Sequence, residues 1–230
     1  MTVAIAHRGD PEVARENTMA SFLSAAAAGA DMIEIDLRRS ADGGIAIVHD
    51  ATLTRLWGVD RAVAEMTLAE LAAIGDGDMR IPTLAAVLDI IDLPLMVDFT
   101  RGDVVAGALS QVRQARALDR ALFVTRNIDA LRHLRSLASD ARIGISWIEP
   151  EPPTPALLAE LDAEYWNPWF GRADADNVAA VHGLGRQVSV WTVDEPEDLV
   201  AVTALGVDAI VSNRIRALRG FLAQASAGRP

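Results

Sequence analysis

Residues 29–36 read Gly-Ala-Asp-Met-Ile-Glu-Ile-Asp, a glycine-led turn that runs into a short apolar segment. Residues 206–211 repeat this pattern as Gly-Val-Asp-Ala-Ile-Val near the other end of the chain. A glycine that ends a helix takes the left-handed conformation, and a short turn after it leads into a parallel strand. Both segments therefore predict a helix followed by a strand of a parallel sheet.

Short apolar runs of this kind alternate with helical patterns along the whole chain. Eight of the runs are strand candidates: Val3–Ala6, Met32–Leu37, Leu95–Phe99, Ala121–Val124, Arg142–Ser146, Glu164–Trp166, Val188–Trp191 and Asp208–Val211. Eight strands in 230 residues leave about 29 residues for each strand–helix unit, which is the spacing of a compact TIM (β/α)₈ barrel. We predict one α/β domain of this fold over residues 1–230. A doubly wound open sheet is the alternative, although the glycine-rich fingerprint typical of it is missing.

Local patterns between the strands predict further elements. The segment Thr18–Ala28 places four apolar side chains on one helical face: Met19, Phe22, Leu23 and Ala26. Asp194 is a candidate N-cap for a helix that starts at Glu195-Pro196. The stretch from about residue 50 to 82 is long for a connection in such a barrel, and it predicts a small insertion after the second strand, near the barrel mouth.

Composition excludes several classes of chemistry. The chain has no Cys, and all 21 of its basic residues are Arg, so thiolate metal sites and lysine Schiff bases are impossible. The net charge of −11 disfavours nucleic acid or an anionic membrane as a partner. The N-terminal residues lack the pattern of a signal peptide, and no apolar run is long enough to span a membrane. We therefore expect a cytoplasmic protein without stable membrane association, as a monomer or homo-oligomer.

Three carboxylates are candidate metal ligands. Glu34 and Asp36 are two residues apart on one strand and so face the same way, and Asp98 lies on the next strand of the predicted barrel. Carboxylates that share a barrel mouth repel each other unless a cation lies between them. Oxygen ligands suit Mg²⁺, Ca²⁺ or Mn²⁺. The alternative is a surface carboxylate pair that Arg38 or Arg39 neutralises.

Two histidines and an arginine follow strands at the same end of the predicted barrel. His7 and His49 each come directly after an apolar run, where imidazoles suit proton transfer near neutral pH. Alternatively, each histidine only caps a strand. Arg8 offers a planar fork for a phosphate, or else a salt bridge to a nearby carboxylate. A metal, two histidines and an arginine together favour hydrolysis of an anionic ester.

These residues lie in motifs that resemble the glycerophosphodiester phosphodiesterase family over nearly the whole chain and in the same order. The matching segments are His7-Arg8-Gly9, Glu16-Asn17-Thr18, residues 29–36, Asp42-Gly43, His49-Asp50 with Leu53 and Arg55, residues 81–84, Trp191-Thr192-Val193 and residues 206–210. The resemblance implies a TIM barrel that uses a divalent metal to hydrolyse a small-molecule glycerophosphodiester to glycerol 3-phosphate and an alcohol.

The resemblance also implies roles for individual residues. His7 and His49 would be the acid and base; Glu34 and Asp36, with Asp98, would bind one divalent cation, and Arg8 would contact the phosphate. Apart from the resemblance, Trp191 is a candidate for a wall of the substrate pocket, with simple packing in the core as the alternative. In the family the neighbouring hydroxyl of the substrate is the nucleophile, and a cyclic phosphate is the intermediate.

This chain departs from the family pattern on the third strand of the predicted barrel. The family usually has Glu-x-Lys there, where this chain has Asp98 and Thr100. Arg101 and Arg126 are candidates to replace the missing lysine. The departure leaves two alternatives open: a phospholipase-D-like enzyme that acts on lysophospholipids or other phosphodiesters, and a barrel that binds a phosphorylated ligand without catalysis. An exposed apolar rim formed by Leu56, Trp57 and Val59 would favour the lysophospholipid alternative.

Overall fold

The computed structural model describes residues 2–227, and its central feature is a closed barrel of eight parallel strands. The barrel strands are β1 (Val3–Ala6), β2 (Met32–Arg39), β4 (Leu95–Phe99), β5 (Ala121–Thr125), β6 (Arg142–Trp147), β7 (Tyr165–Pro168), β8 (Gln187–Val190) and β9 (Ala209–Ser212). β1 pairs with β2 on one side and with β9 on the other, which closes the barrel. The predicted TIM barrel is confirmed, and the open sheet is excluded.

The sequence missed one strand. β3 (Ile45–Ile47) pairs antiparallel with the end of β2 and lies outside the ring of parallel strands. It has only three residues, too few for a strand pattern to be recognised. The hairpin that β2 and β3 form has a functional consequence, because it carries the chain back towards the barrel mouth just before His49.

Helices cover the outside of the barrel between its strands. They are α1 (Met19–Ala27), α2 (Thr54–Trp57), α3 (Leu68–Ala72), α4 (Leu84–Ile90), α5 (Val105–Gln114), α6 (Ile128–Leu137), α7 (Pro155–Glu160), α8 (Ala175–Gly183), α9 (Pro196–Ala204) and α10 (Ile215–Ala227). Gly29 and Gly206 have φ of 82° and 78°, so both are left-handed, as their motifs predict. Within residues 2–227, no helix is long and apolar enough to cross a membrane.

One local prediction was wrong, and another was confirmed only in part. Glu195, not Asp194, is the N-cap of α9, because the Asp194 carboxylate instead accepts hydrogen bonds from Ser212 at the end of β9 and from Asn213 after it. In α1 Met19 and Phe22 are buried as predicted, but the buried face continues through Ala25 and not through Leu23 and Ala26. Phe22 and Ala25 are fully buried, whereas Leu23 is 43% exposed.

Side-chain alternation along the strands separates two apolar layers. One face of each strand packs against the helices and forms the large outer core. The other face fills the barrel interior with a smaller cluster that includes Ile5, Met32, Met96 and Leu122. Towards the carboxyl ends of the strands the inward positions become polar. This change of character places the polar side chains above an apolar floor, at the end of the barrel where TIM-barrel sites are found.

Residues 51–82 contain α2, α3 and two 3₁₀ turns, at Val63–Glu65 and Gly77–Met79. They pack around an apolar cluster of their own, with Leu53 and Leu71 fully buried. The side chain of Arg55 ties this segment to the barrel, since it binds both Asp50 and Glu16.

Candidate active site

A cavity of about 520 Å³ opens at the carboxyl ends of the barrel strands. All seven residues singled out in the sequence line it: His7, Arg8, Glu34, Asp36, His49, Asp98 and Trp191. They come from β2 and β4 and from the segments after β1, β3 and β8, so the closed barrel is what brings them together. The volume lies in the range of small-molecule sites.

The three carboxylates meet at one side of this cavity. Glu34, Asp36 and Asp98 each offer an oxygen atom, and these atoms all lie within 4.8 Å of one another. The parallel register explains the arrangement, because β2 and β4 place Asp36 directly beside Asp98. Asn17 holds Asp36 in place, since its Nδ2 donates a hydrogen bond of 2.7 Å to Asp36 Oδ2.

The electrostatics of this acidic group fit a bound cation. Burial and the charge of Asp36 raise the pKa of Glu34 well above its ordinary value. The same two causes raise the pKa of Asp98 to about 7. Buried carboxylates that face one another without enough positive charge are costly, and a divalent cation with oxygen ligands would remove that cost. The donor set suits Mg²⁺, Ca²⁺ or Mn²⁺.

Arg8 provides positive charge beside the acidic group. Its Nε lies 3.1 Å from Asp36 Oδ2, and its NH1 donates a 2.9 Å hydrogen bond to Glu16 Oε1. Its backbone N–H donates to Glu34 Oε2 at 2.9 Å. Arg8 has a φ of 57° and Gly9 one of 90°, and a Cβ on Gly9 would overlap Ser21, so only glycine allows this turn.

His7 is held in one tautomer by two residues after the eighth and ninth strands. Asp194 Oδ2 accepts a 2.7 Å hydrogen bond from Asn213 Nδ2, and this fixes the orientation of the Asn213 amide. Asn213 Oδ1 then lies 2.7 Å from His7 Nδ1. An amide oxygen can only accept a hydrogen bond, so the proton of neutral His7 is on Nδ1. Nε2 therefore carries no proton and is able to accept one. Burial and the charge of Arg8 lower the pKa of His7, which favours the neutral base.

His49 is held in a similar way by its neighbour Asp50. Its Nδ1 lies 2.7 Å from Asp50 Oδ1, so a carboxylate accepts the Nδ1 proton and leaves Nε2 free. A hydrogen bond of 2.5 Å from Arg55 Nε to Asp50 Oδ2 lowers the pKa of Asp50 to about 2. Arg38 donates to the backbone carbonyl of His49 through Nε and NH2. His49 thus lies at the mouth, half-exposed, with both its ring and its backbone fixed.

Arg101 and Arg126, the two candidates to replace the missing lysine, lie in different places. Arg126 lines the cavity, as does Thr100, the residue at the position of the lysine. Arg101 does not line this cavity; its side chain is 73% exposed and forms an ion pair with Asp103.

Trp191 lies on the opposite side of the cavity from β4, where its Nε1 donates to the backbone carbonyl of Asn167 at 2.8 Å.

Several residues that shape the site were missed as functional residues in the sequence. Asn17 and Glu16 belong to a recognised motif, but only the structure shows that they contact Asp36 and Arg8. Asn213 and Asp194 lie 206 and 187 residues from His7, and no sequence periodicity could have linked them to it. Contacts of this kind depend on barrel closure.

Comparisons with known proteins find relatives over nearly the whole chain. Residues 7–217 match the glycerophosphoryl diester phosphodiesterase family. A glycerophosphodiester phosphodiesterase of Caldanaerobacter subterraneus is 27% identical, over 92% of this chain and 94% of the relative.

Solved structures share the fold. A crystal structure from Silicibacter pomeroyi is 27% identical, covers 98% of this chain and 94% of its own, and superposes with a TM-score of 0.90. An Oleispira antarctica phosphodiesterase, solved in complex with the product sn-glycerol-3-phosphate, is 24% identical over 97% of both chains, with a TM-score of 0.90. The family match spans the strands from β2 to β9, the acidic group and both histidines, and the chain belongs to the glycerophosphoryl diester phosphodiesterase family.

Proposed function

We propose that this protein hydrolyses water-soluble glycerophosphodiesters to glycerol 3-phosphate and an alcohol. The observation that carries the proposal is the pair of histidines with fixed tautomers, His7 and His49, which flank one cavity beside Arg8 and the acidic group. Family membership supports the reaction class. The Oleispira antarctica phosphodiesterase was solved with the product that this reaction would release.

The two histidines would divide the proton transfers. His7 has a lowered pKa and a free Nε2, so it would take the proton of the glycerol 2-hydroxyl as that oxygen bonds to phosphorus. His49, whose ring Asp50 holds in place through Nδ1, would give a proton to the oxygen of the leaving alcohol as its bond to phosphorus breaks. Water would then open the cyclic phosphate with the two roles reversed. This route needs no nucleophile from the protein.

Positive charge would be supplied from two directions. Arg8 would orient the phosphate, since its guanidinium lies between the acidic group and Glu16. Glu34, Asp36 and Asp98 would hold one divalent cation, which when bound supplies charge that polarises the phosphate.

The structure does not favour lysophospholipids as substrates, because the three apolar residues that would bind the acyl chain do not form an exposed rim. Leu56, Trp57 and Val59 are each half-buried rather than exposed. Trp57 and Val59 pack against the apolar cluster of residues 51–82. We therefore propose small water-soluble diesters as the substrates.

Phosphorus NMR tests the proposal directly. The purified protein is incubated with glycerophosphoglycerol or glycerophosphocholine and with Mg²⁺, Ca²⁺ or Mn²⁺, and a chelator is added in the control. We expect a glycerol 3-phosphate signal that appears only with a divalent cation. Diester signals that stay unchanged with all three cations would overturn the proposal, and product that forms equally well with chelator would overturn the metal requirement.

A further inference from the structure

The cavity has a second wall, across from His7, that the proposed chemistry does not use. This distal wall is formed by Arg126, Ser146 and Asn167, which follow or end β5, β6 and β7. In the ring of strands β5, β6 and β7 lie across from β1, which His7 follows directly. A diester phosphate bound beside the histidines has two ester arms, and an arm that extends across the cavity would meet the distal wall.

Arg126 is the free cation of this cavity. Of the other arginines that line it, Arg8 is paired with Glu16 and Asp36, and Arg38 donates to the carbonyl of His49. Within residues 2–227, Arg126 has neither an ion pair nor a hydrogen bond, and it is exposed at the cavity mouth. A guanidinium held at a cavity without a partner is a receptor for oxygen atoms of a ligand.

The register of the sheet explains why Arg126 faces the cavity. β4 and β5 pair Asp98 with Val124, and both side chains point into the barrel. Two residues further on, Thr100 and Arg126 therefore lie side by side and also point inward.

The other groups of the distal wall are neutral hydrogen-bonding groups. Asn167 Nδ2 donates a 3.1 Å hydrogen bond to Ser146 Oγ, and this leaves the Ser146 hydroxyl proton to donate elsewhere. Both side chains are nearly fully buried. Of the described residues that line the cavity, the carboxylates are Glu34, Asp36 and Asp98, and all three belong to the acidic group. The distal wall thus has no carboxylate to receive a cationic head group.

We infer that Arg126 makes the enzyme select diesters whose alcohol is a neutral polyol or carries negative charge, over diesters of choline or ethanolamine. The inference rests on the proposed function and names its substrate class. Hydroxyl or phosphate oxygens accept from Arg126 and Ser146, whereas a quaternary ammonium is repelled by Arg126 and finds no carboxylate beside it. The interaction energy of two unit charges about 4 Å apart in water is about 1 kcal/mol. A repulsion of this size between Arg126 and a cationic head group corresponds to about a fivefold difference in kcat/KM.

The test compares kcat/KM for glycerophosphoglycerol and glycerophosphocholine in the wild type and in variants. We expect a wild-type ratio of about 5 or more in favour of glycerophosphoglycerol, falling as salt is raised because the charge is exposed. Arg126→Lys should keep the preference, Arg126→Ala should bring the ratio towards 1, and Arg126→Glu should reverse it. Arg101→Ala is the matched control, because it removes an arginine that lies outside the cavity, and it should leave the ratio unchanged.

The outcomes separate this inference from the proposed function. If the wild type and all variants leave every diester intact with each divalent cation, the proposed function fails. If diesters are hydrolysed but the ratio is the same in Arg126→Glu as in the wild type, only the role of Arg126 fails. A fall in kcat/KM that is equal for both substrates in Arg126→Ala would also overturn it, because that result would place Arg126 on the reacting phosphate.

Discussion

Asn213 Oδ1 lies 2.7 Å from His7 Nδ1, although the two residues are 206 positions apart in the chain. The Asp194 carboxylate holds Asn213 in place by accepting two hydrogen bonds. One comes from Asn213 Nδ2 at 2.7 Å and the other from the Asn213 backbone N–H at 2.8 Å. A carboxylate after β8 therefore decides, through an amide after β9, which nitrogen of an imidazole after β1 is free. The closed barrel makes this connection, because β9 is hydrogen-bonded to both β8 and β1.

Asn213→Leu tests this connection. The leucine has a similar size but accepts no hydrogen bond, so His7 is no longer held in the tautomer with a free Nε2. We expect kcat to fall about 10- to 100-fold, the range seen when a partner that orients a functional histidine is removed. Steady-state kinetics measure the fall, and Asn213→Gln should recover part of it. An Asn213→Leu variant with wild-type kcat would show that the tautomer of His7 does not matter.

His49→Ala should abolish turnover without unfolding the protein. Loss of a general acid or base costs about 10²- to 10⁴-fold in rate. The side chain is 41% exposed, so its truncation leaves no buried cavity. Kinetics and thermal unfolding are measured together, with His133→Ala as the control because His133 is an exposed histidine on α6. Near-native activity in His49→Ala would contradict its assignment as an acid or base.

The pH dependence of stability should reveal the acidic group. The pKa of Asp98 is raised to about 7 in the folded protein, above its ordinary value of 3.8. Between these two values the folded state binds more protons than the unfolded state, so the free energy of unfolding of the metal-free protein falls as pH rises. The raised pKa of Glu34 acts in the same direction. A bound divalent cation should remove this loss, because it stabilises the ionised carboxylates.

The measurement is the unfolding temperature with chelator and with Mn²⁺ or Mg²⁺, at about pH 5 and about pH 8. We expect the cation to raise it more at the higher pH. The variant Asp98→Asn is the control, since its amide does not titrate, and with chelator it should lose less stability between the two pH values. A cation effect that is equal at both pH values would argue against binding at these carboxylates.

Most of the barrel could be predicted from the sequence, because each parallel strand is a short apolar run and the runs are evenly spaced. β1 and β4 have the bounds that their patterns predict. Polar contacts between distant elements could not be predicted in the same way. Asp194 has the sequence context of a helix cap, and only the position of β9 beside β8 shows that its carboxylate serves Asn213 instead.

Some residues of the candidate site could likewise be predicted from the sequence, and others could not. Residues that lie at or just after the carboxyl ends of strands, such as His7 and Asp98, could be located because these ends of the barrel strands meet at one place. The choice between Arg101 and Arg126 needed the register of two neighbouring strands. Side-chain alternation points Arg126 into the cavity, and it leaves Arg101 to pair with Asp103 on the surface.

Thr100→Lys tests whether the site lacks a cation at the position where the resembled family has lysine. Thr100 lines the cavity two residues after Asp98, so a lysine there would bring its ammonium group to the reacting phosphate. We expect kcat/KM to rise about tenfold or more, because a charge-assisted contact to the transition state is worth at least that much. The rise should be similar for all head groups, unlike the effect of Arg126. Thr100→Met is the matched control, since it adds length without charge. If Thr100→Lys is no faster than Thr100→Met, the phosphate already has all the positive charge that catalysis can use, and Arg8 with the divalent cation is sufficient.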